Sequence, residues 1–241
     1  MTPSGLYCEA GDFFIDPWGP ADRAVITHAH SDHARAGSAA YLTSQEGESL
    51  LRYRLAGSAG TIESVAWGEA RRMNDVAVTL HPAGHIRGSA QVRLEHRGEV
   101  WVFTGDYKLA ADPTCTPFEL VRCHTLITEA TFALPVYRWT PADTVFEDIV
   151  AWWTEVRERE GCAILYTYTL GKAQRLLHGL AGRLPGPIWV HGAIEPLNAI
   201  YRDDGVVLGE TRLVSSAERG TRLTGALVLA PPSATAPGWL R

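Results

Sequence analysis

The most restrictive feature of this sequence is a cluster of four side chains that can each bind a metal ion, within only six positions. The cluster comprises His28, His30, Asp32 and His33, and it directly follows the short run 25–27. Imidazole and carboxylate groups together suit zinc and similar borderline ions. The pattern therefore predicts a strand that ends in a metal-binding loop.

The spacing inside this loop indicates two ions. His28 and His30 are two positions apart in an extended segment, so their side chains project to the same side and can share one ion. Asp32 and His33 follow as the chain turns and can reach a second ion. The residues between these ligands are small and allow tight packing. We predict zinc, with Mn²⁺ or Mg²⁺ as alternatives.

Two later positions are candidates for the remaining ligands. His85, in the sequence A-G-H, and Asp106, in the sequence T-G-D, each follow a predicted strand. A carboxylate such as that of Asp106 can bridge two ions. Taken alone, His85 and Asp106 could each be an ordinary turn residue.

The hydrophobic pattern changes character near residues 135–140. The first part, 1–138, has short apolar runs separated by Gly, Pro and Asp, with a helix predicted over 44–56 and a hairpin turn at 96–99. The second part, 139–241, begins with a predicted helix over 140–160, in which Thr140 is the N-cap and Pro141 the first helical residue. Alternating elements follow: strands at 163–166, 188–190, 206–208 and 226–230, and helices at 172–183 and 195–202. This alternation predicts an α/β unit with a mostly parallel sheet.

Composition excludes several classes of protein. Apolar residues make up 46% of the 241 residues, and no apolar run is long enough to span a bilayer. The N-terminus lacks the features of a signal peptide, so we expect a cytoplasmic protein with no membrane partner. The net charge of −5 argues weakly against a nucleic-acid partner, but acidic metal ligands contribute to that charge. The four Cys residues form no C-x-x-C pair and are expected to be reduced thiols.

The sequences H-A-H-S-D-H, A-G-H and T-G-D, in this order, resemble the metallo-β-lactamase superfamily. The resemblance implies an αββα sandwich with the metal site at one edge. It implies that three imidazoles hold the first ion, those of His28, His30 and His85. It assigns to the second ion Asp32, His33 and Asp106, the last as a bridge. Asp16, in F-F-I-D-P, matches an early Asp of the family that supports the site without being a primary ligand.

Three further features resemble the β-CASP nucleases of this superfamily. Glu129, in T-E-A-T-F, matches an acidic residue that this branch carries after a strand. The α/β segment from about residue 140 has the size of the β-CASP domain that is inserted over the metal site. The segment 166–174 resembles a strand-to-helix connection of the same nucleases, and Thr169, Gly171 and Lys172 lie within it.

The start of this second-part helix also has a physical reading that is independent of the resemblance. A glycine at a helix start exposes backbone N–H groups, and the helix dipole, the Thr169 hydroxyl and the Lys172 ammonium favour a phosphate. An ordinary strand-to-helix turn is the equal alternative. Arg87, close to His85, is a further candidate phosphate contact, with a surface arginine as its alternative.

Over nearly the whole chain, the closest resemblance is to the bacterial ligase-associated DNA exonucleases, an Artemis-like group. It implies a DNA-repair exonuclease that acts on DNA, at single-stranded ends, beside a DNA ligase and a helicase. The turn A-G-H-I-R-G-S resembles the RNA-processing branch more closely, so an RNA substrate is the alternative. A small-molecule thioesterase would leave the second part unexplained.

The implied mechanism uses two metal ions to activate a shared water as hydroxide, which attacks phosphorus. Asp32 would accept the proton of that water, and Glu129 would orient nearby groups. The two later His motifs of β-CASP enzymes do not occur before residue 241. We therefore expect an incomplete C-terminus and a weakly held second ion. A non-catalytic nucleic-acid-binding remnant is the corresponding alternative.

Overall fold

The computed structural model describes residues 2–58 and 60–235, which form a mixed α/β structure with three sheets. This confirms the α/β class. The chain divides into two compact units between Thr131 and Phe132. Each unit has buried clusters of its own.

Two five-stranded sheets make up the first unit. The strands of the first sheet, in the order in which they pair, are β1 (Leu6–Cys8), β2 (Phe13–Ile15), β3 (Arg23–Val25), β4 (Ala40–Ser44) and β5 (Thr61–Val65). The second sheet has the order β10-β9-β8-β7-β6, with β6 (Ala70–Met73), β7 (Val76–Pro82), β8 (Ala90–His96), β9 (Glu99–Phe103) and β10 (Thr125–Ile127). One α-helix, α1 (Glu48–Arg54), lies between β4 and β5 in the chain.

The two sheets pack face to face because alternate residues of their strands are apolar. Val76, Val78 and Leu80 on β7 contribute to the same buried cluster as Phe13 and Val25 of the first sheet. A second cluster on the other side of the first sheet includes Leu51 of α1. Layers of helix, sheet and sheet follow from these two clusters, a pattern compatible with a metallo-β-lactamase-type sandwich.

The hairpin predicted at 96–99 is confirmed, and the helix predicted over 44–56 is shorter than expected. Arg97 and Gly98, with φ of +51° and +84°, make the tight turn that connects β8 and β9. Ser44 ends β4, and a 3₁₀ turn at Gln45–Gly47 precedes α1. The Ser44 hydroxyl donates to the carbonyl oxygen of Gly88 and accepts from the amide of Gly47, so this segment turns before it becomes helical.

The second unit contains a four-stranded parallel sheet with helices, as the alternating pattern predicts. Its sheet order is β11-β14-β12-β13, with β11 (Ala163–Tyr166), β12 (Ile188–Val190), β13 (Arg212–Leu213) and β14 (Leu227–Ala230). The helices are α2 (Ala142–Glu158), α3 (Lys172–Leu180) and α4 (Glu195–Asp203). Trp153 of α2 is fully buried and donates from its indole nitrogen to the carbonyl oxygen of Gly225.

Two local predictions in this unit are wrong. Residues 206–208 form no strand, because the amide of Val206 bonds to the carbonyl oxygen of Tyr201 and closes the end of α4 through Gly205, whose φ is +83°. Thr140 is not the N-cap of α2, because Pro141 is extended, with ψ of 142°, and itself precedes the first helical residue.

Residues 236–241, which belong to the expected incomplete C-terminus, lie outside the described part of the chain. Within that part, none of the helices combines the length and apolar character that crossing a bilayer requires.

Candidate metal centre

The predicted ligands lie where strands of both sheets end. The loop that begins at His28 follows β3 of the first sheet, whereas His85 and Asp106 follow β7 and β9 of the second. Thr27 joins the two sheets here, because its carbonyl oxygen accepts a hydrogen bond of 2.9 Å from the amide of Ala90. The topology therefore brings together loops that are distant in the sequence.

Glycines in the A-G-H and T-G-D sequences allow the loops to approach closely. Gly84 has φ of +71°, and a Cβ atom there would lie 2.5 Å from the carbonyl oxygen of Lys108. Gly105 has φ of +55°, and its Cβ would lie 2.8 Å from the Cβ of Thr27. A larger residue at either position would force the ligand-bearing loops apart.

Four of the predicted ligands converge on one point. The ligand atoms of His28, His30, His85 and Asp106 all lie within 4.8 Å of one another. The Nε2 atoms of His28 and His85 lie 3.0 and 3.2 Å from Nδ1 of His30. Oδ2 of Asp106 lies 3.8 Å from Nε2 of His28 and 3.6 Å from Nε2 of His85. Three imidazoles and one carboxylate thus surround a single position.

The imidazoles of His28 and His85 are uncharged at neutral pH. Burial lowers the pKa of His28 well below its ordinary value, and the neighbouring His33, His30 and His85 add to the effect. Burial and the neighbouring His30 likewise lower the pKa of His85 to about 4. Neutral imidazole is the form that binds a metal ion, so these side chains need not lose a proton to do so.

Thr27 determines which nitrogen of His28 faces the cluster. Its hydroxyl donates to Oδ2 of Asp16 at 2.6 Å and lies 3.0 Å from Nδ1 of His28. Since this hydroxyl has one hydrogen and gives it to the carboxylate, Nδ1 of His28 donates to the hydroxyl oxygen. Nε2 of His28 then carries the lone pair that faces the cluster. Thr27 begins the sequence T-H-A-H-S-D-H, but no role for its side chain was predicted, because the only signal was its position before His28.

Asp16 and Asp106 hold His33 between them. Nδ1 of His33 lies 2.8 Å from Oδ2 of Asp16, and Nε2 lies 3.3 Å from Oδ1 of Asp106. Burial lowers the pKa of His33, but the hydrogen bonds and charges of the two carboxylates outweigh it and raise that pKa to about 10. Burial raises the pKa of Asp106, but the hydrogen bond and charge of His33 outweigh it and lower that pKa. Asp16 also accepts from the amide of Thr27 at 2.8 Å, and so supports the loop from behind.

The structure does not bring Asp32 and Glu129 into the four-ligand cluster. The side chain of Asp32 is 72% exposed, and its Oδ2 lies 3.7 Å from Nε2 of His33. Glu129 accepts long hydrogen bonds, of 3.4 Å each, from the amides of Tyr107 and Thr131.

Arg87, the predicted phosphate contact in this unit, forms an ion pair with Glu46. The distance from its NH1 to Oε1 of Glu46 is 3.2 Å, and its side chain is 18% exposed. A guanidinium that is already paired with a carboxylate is less able to bind phosphate. Ser89, which was not among the predicted site residues, stabilises the same turn, since its Oγ accepts from the amides of His85 and Ile86.

The other predicted phosphate-binding residues lie at the start of α3 in the second unit. Gly171 precedes the helix with φ of +84°, but its amide donates to the side-chain oxygen of Gln174 at 2.8 Å. The amide of Ala173 donates to the carbonyl oxygen of Tyr168. At the helix start where exposed backbone amides were expected, these two amides therefore bond within the loop. Lys172 is exposed, with its Nζ 4.8 Å from the centre of the Tyr168 ring.

A borderline metal ion such as zinc fits the four-residue cluster. Three imidazole nitrogens and a carboxylate oxygen are donors that zinc accepts. Nδ1 of His30 faces two other ring nitrogens, and one hydrogen on it cannot serve both well. A cation between these atoms would satisfy all of them. Manganese would also accept this donor set, whereas magnesium prefers oxygen ligands.

Comparison with known proteins shows several relatives. Over 98% of its length, the chain is 34% identical to a probable DNA ligase of Opitutus terrae, of which it covers 23%. It is 26% identical over 65% of its length to the endoribonuclease ysh1 of Aspergillus fumigatus, of which it covers 18%. It is 24% identical over 75% of its length to an RNase J-like protein of Methanocaldococcus jannaschii, of which it covers 49%. The chain thus spans less than half the length of each relative. No family profile matches it.

These similarities agree with the ligand motifs and with the sandwich that carries them. The chain belongs to the metallo-β-lactamase superfamily and, within it, to the β-CASP branch.

Proposed function

We propose that this chain forms the metal-binding part of a nuclease that hydrolyses phosphodiester bonds in DNA, as an exonuclease in DNA repair. The observation that carries the proposal is the convergence of His28, His30, His85 and Asp106 on one position. The same four residues would hold the first ion, and we propose zinc. Asp32 and His33 would hold a second ion with the other oxygen of Asp106.

The position of Asp106 supports a bridging role. Its Oδ2 faces the imidazoles of His28 and His85, whereas its Oδ1 faces His33. One carboxylate therefore presents one oxygen to each set of ligands. The exposure of Asp32 leaves the second set weaker than the first.

Bound metal ions of this kind lower the pKa of water towards neutrality and stabilise negative charge on phosphoryl oxygens. The residues of the chain supply the rest of the reaction. A water oxygen bonds to phosphorus, the bond from phosphorus to the leaving sugar oxygen breaks, and that oxygen takes up a proton from solvent. We propose that the Asp32 carboxylate accepts the proton of the attacking water. Glu129 orients the backbone of Tyr107, next to Asp106.

A set of exposed aromatic rings in the second unit supports a single-stranded substrate. Phe132 lies edge to face with Tyr137 and with Trp139, at centroid distances of 5.0 Å in both pairs. All three rings are exposed, and Arg138 lies between two of them in the sequence. Exposed aromatic rings beside a positive charge are surfaces on which unpaired bases stack.

Similarity to a probable DNA ligase over nearly the whole chain favours DNA, and it motivates the proposal that the protein acts beside a DNA ligase and a helicase. The second candidate substrate is RNA, because other relatives are named endoribonuclease and RNase J-like protein. Both substrates use the same metal centre, so the choice between them does not affect the assignment of the ligands.

The test compares 5′-phosphorylated single strands of DNA and RNA with the same base sequence, with and without EDTA. We expect metal-dependent shortening of the DNA strand, and in Asp106→Asn a loss of about 100-fold or more, since the variant removes the charge of a carboxylate that would hold the metal. Asp12→Asn is the control, because Asp12 makes an exposed hydrogen-bonded pair with Tyr7 and Arg23.

Preferential cleavage of the RNA strand would replace DNA by RNA as the substrate. Equal rates for the wild type and Asp106→Asn, or product that forms in EDTA, would contradict the nuclease proposal. Strand binding that survives removal of the metal, without cleavage, would favour a non-catalytic binding module.

A further inference from the structure

Glu46 is a nearly buried carboxylate that no part of the predicted site includes. It lies in the 3₁₀ turn Gln45–Gly47, and its side chain is 11% exposed. Its Oε1 accepts from Arg87 at 3.2 Å, and its Oε2 accepts from Nε1 of Trp67 at 3.1 Å and from the hydroxyl of Thr116 at 2.6 Å. One carboxylate thus binds three donors from three different segments.

Two of those segments are connected with metal ligands. Arg87 belongs to the turn that begins at His85, and Thr116 lies in the loop that follows Asp106. The chain just before His85 also contacts the loop after Asp106 directly, since the amide of Lys108 donates to the carbonyl oxygen of Ala83 at 2.9 Å. Glu46 therefore connects the turn that carries one ligand to the loop that follows another.

The turn that carries Glu46 is itself fixed against the His85 turn. The hydroxyl of Ser44 donates to the carbonyl oxygen of Gly88 at 2.7 Å. A Cβ atom on Gly88 would lie 2.2 Å from the Cα of Gly47, so the two turns are in backbone contact. The Glu46 carboxylate consequently has little freedom to move away from Arg87.

We propose that Glu46 is a positioning residue of the metal centre, which acts through Arg87 and Thr116 to hold His85 and Asp106 at their mutual distance. Arg87 is then the partner of Glu46 rather than a contact for the phosphate of the substrate. The proposal rests on the proposed function, because it assumes that the cluster holds a metal ion.

The variants Glu46→Gln and Glu46→Ala test this role. Gln retains an oxygen that can accept from Trp67 and Thr116 but loses the charge that pairs with Arg87. The control is Glu63→Gln, which removes an exposed ion pair with Arg71 of 2.8 Å in the same unit. Affinity for Zn²⁺ is measured by competition with a chelator, and ligand geometry by the visible absorption of the Co²⁺-loaded chain.

We expect Glu46→Ala to bind Zn²⁺ about 10- to 100-fold more weakly than the wild type, as loss of a group that orients metal ligands does. Glu46→Gln should lie between the two, with a changed Co²⁺ spectrum. Glu63→Gln should match the wild type in both measurements. If Glu46→Ala does not fold, the comparison of Glu46→Gln with Arg87→Gln replaces it, and both should weaken the metal to a similar degree.

Wild-type affinity and an unchanged Co²⁺ spectrum in the folded Glu46 variants would overturn this inference and leave the proposed function standing. The same holds if the metal-free variants lose thermal stability but bind the ion normally, since Glu46 would then act on folding alone. Failure of the wild type to bind Zn²⁺ would overturn the proposed function as well.

Discussion

The polar groups of the metal cluster and those at the start of α3 are arranged in opposite ways. In the cluster, Nε2 of His28 and Nε2 of His85 lie 3.0 and 3.2 Å from the same nitrogen, Nδ1 of His30, and a single hydrogen there cannot serve both well. At the start of α3, the backbone amide of Gly171 donates to the side-chain oxygen of Gln174. The side-chain nitrogen of Gln174 donates in turn to Oδ1 of Asn198 and to the carbonyl oxygen of Thr169. One region needs a ligand to satisfy its polar groups, and the other satisfies them internally.

This difference indicates where binding energy is available. Burial of poorly satisfied acceptor nitrogens is unfavourable, so a cation that binds their lone pairs recovers the cost. Residues that already bond to one another gain little from a phosphate, apart from long-range attraction to the exposed Lys172. We therefore expect tight binding in the first unit and only weak electrostatic contacts at α3.

The largest expected effect is a difference in how pH changes the affinities of the two ions. At the first set of ligands, the pKa of His85 is about 4, and that of His28 is also lowered, so neither loses a proton on binding above about pH 6. At the second set, the pKa of His33 is about 10, so the ion must displace a proton at any lower pH. Affinity for the second ion should therefore rise about 100-fold from pH 6 to pH 8, tenfold per unit, and more steeply than affinity for the first.

Competition with chelators at pH 6, 7 and 8 measures both affinities. His33→Gln should abolish binding of the second ion, whose affinity depends on pH, and retain binding of the first. Two ions with the same slope against pH would remove the distinction between the two sets of ligands.

A smaller effect is expected from the aromatic rings that follow Thr131. Trp139→Ala removes a ring that is 72% exposed, and we expect an affinity for single-stranded DNA about tenfold lower, the loss of one stacked base. Trp152→Ala is the control, since Trp152 is also exposed but lies on α2, outside this set of rings. Fluorescence titration with oligothymidine separates the two. Equal losses in both variants would argue against a stacking surface at 132–139.

The smallest effect is expected at Lys172. Because the nearby amides bond within the loop, Lys172→Ala should remove only one positive charge from the binding surface. We expect its affinity for single-stranded DNA to be about threefold lower, and the slope of log affinity against log salt concentration to be less steep by about one. Arg183→Ala provides the comparison, since Arg183 already pairs with Asp143 at 2.9 Å. A loss of 100-fold in Lys172→Ala would mean that this region binds a phosphate specifically and that its internal hydrogen bonds rearrange.

The sequence predicted the α/β class, most of the strands and the residues that converge in the cluster. His85 and Asp106 were found because each follows a strand and a glycine, and strand ends meet at sheet edges. The role of Thr27 could not be predicted, because it depends on Asp16 approaching from another strand. The partner of Arg87 is likewise 41 residues away, and no local pattern indicates that pairing. The apolar run at Val206 suggested a strand, but the amide of Val206 instead bonds to Tyr201 and ends α4.

X-ray absorption of the zinc-loaded chain tests the central claim most directly, namely that His28, His30, His85 and Asp106 hold a metal ion. With one equivalent of Zn²⁺, we predict only nitrogen and oxygen neighbours, at about 2.0 to 2.2 Å, with the scattering pattern of three imidazoles and without sulfur. His28→Ala should lose one imidazole. A sulfur neighbour near 2.3 Å would place the ion at one of the four cysteines, and a spectrum that His28→Ala leaves unchanged would equally contradict the assignment.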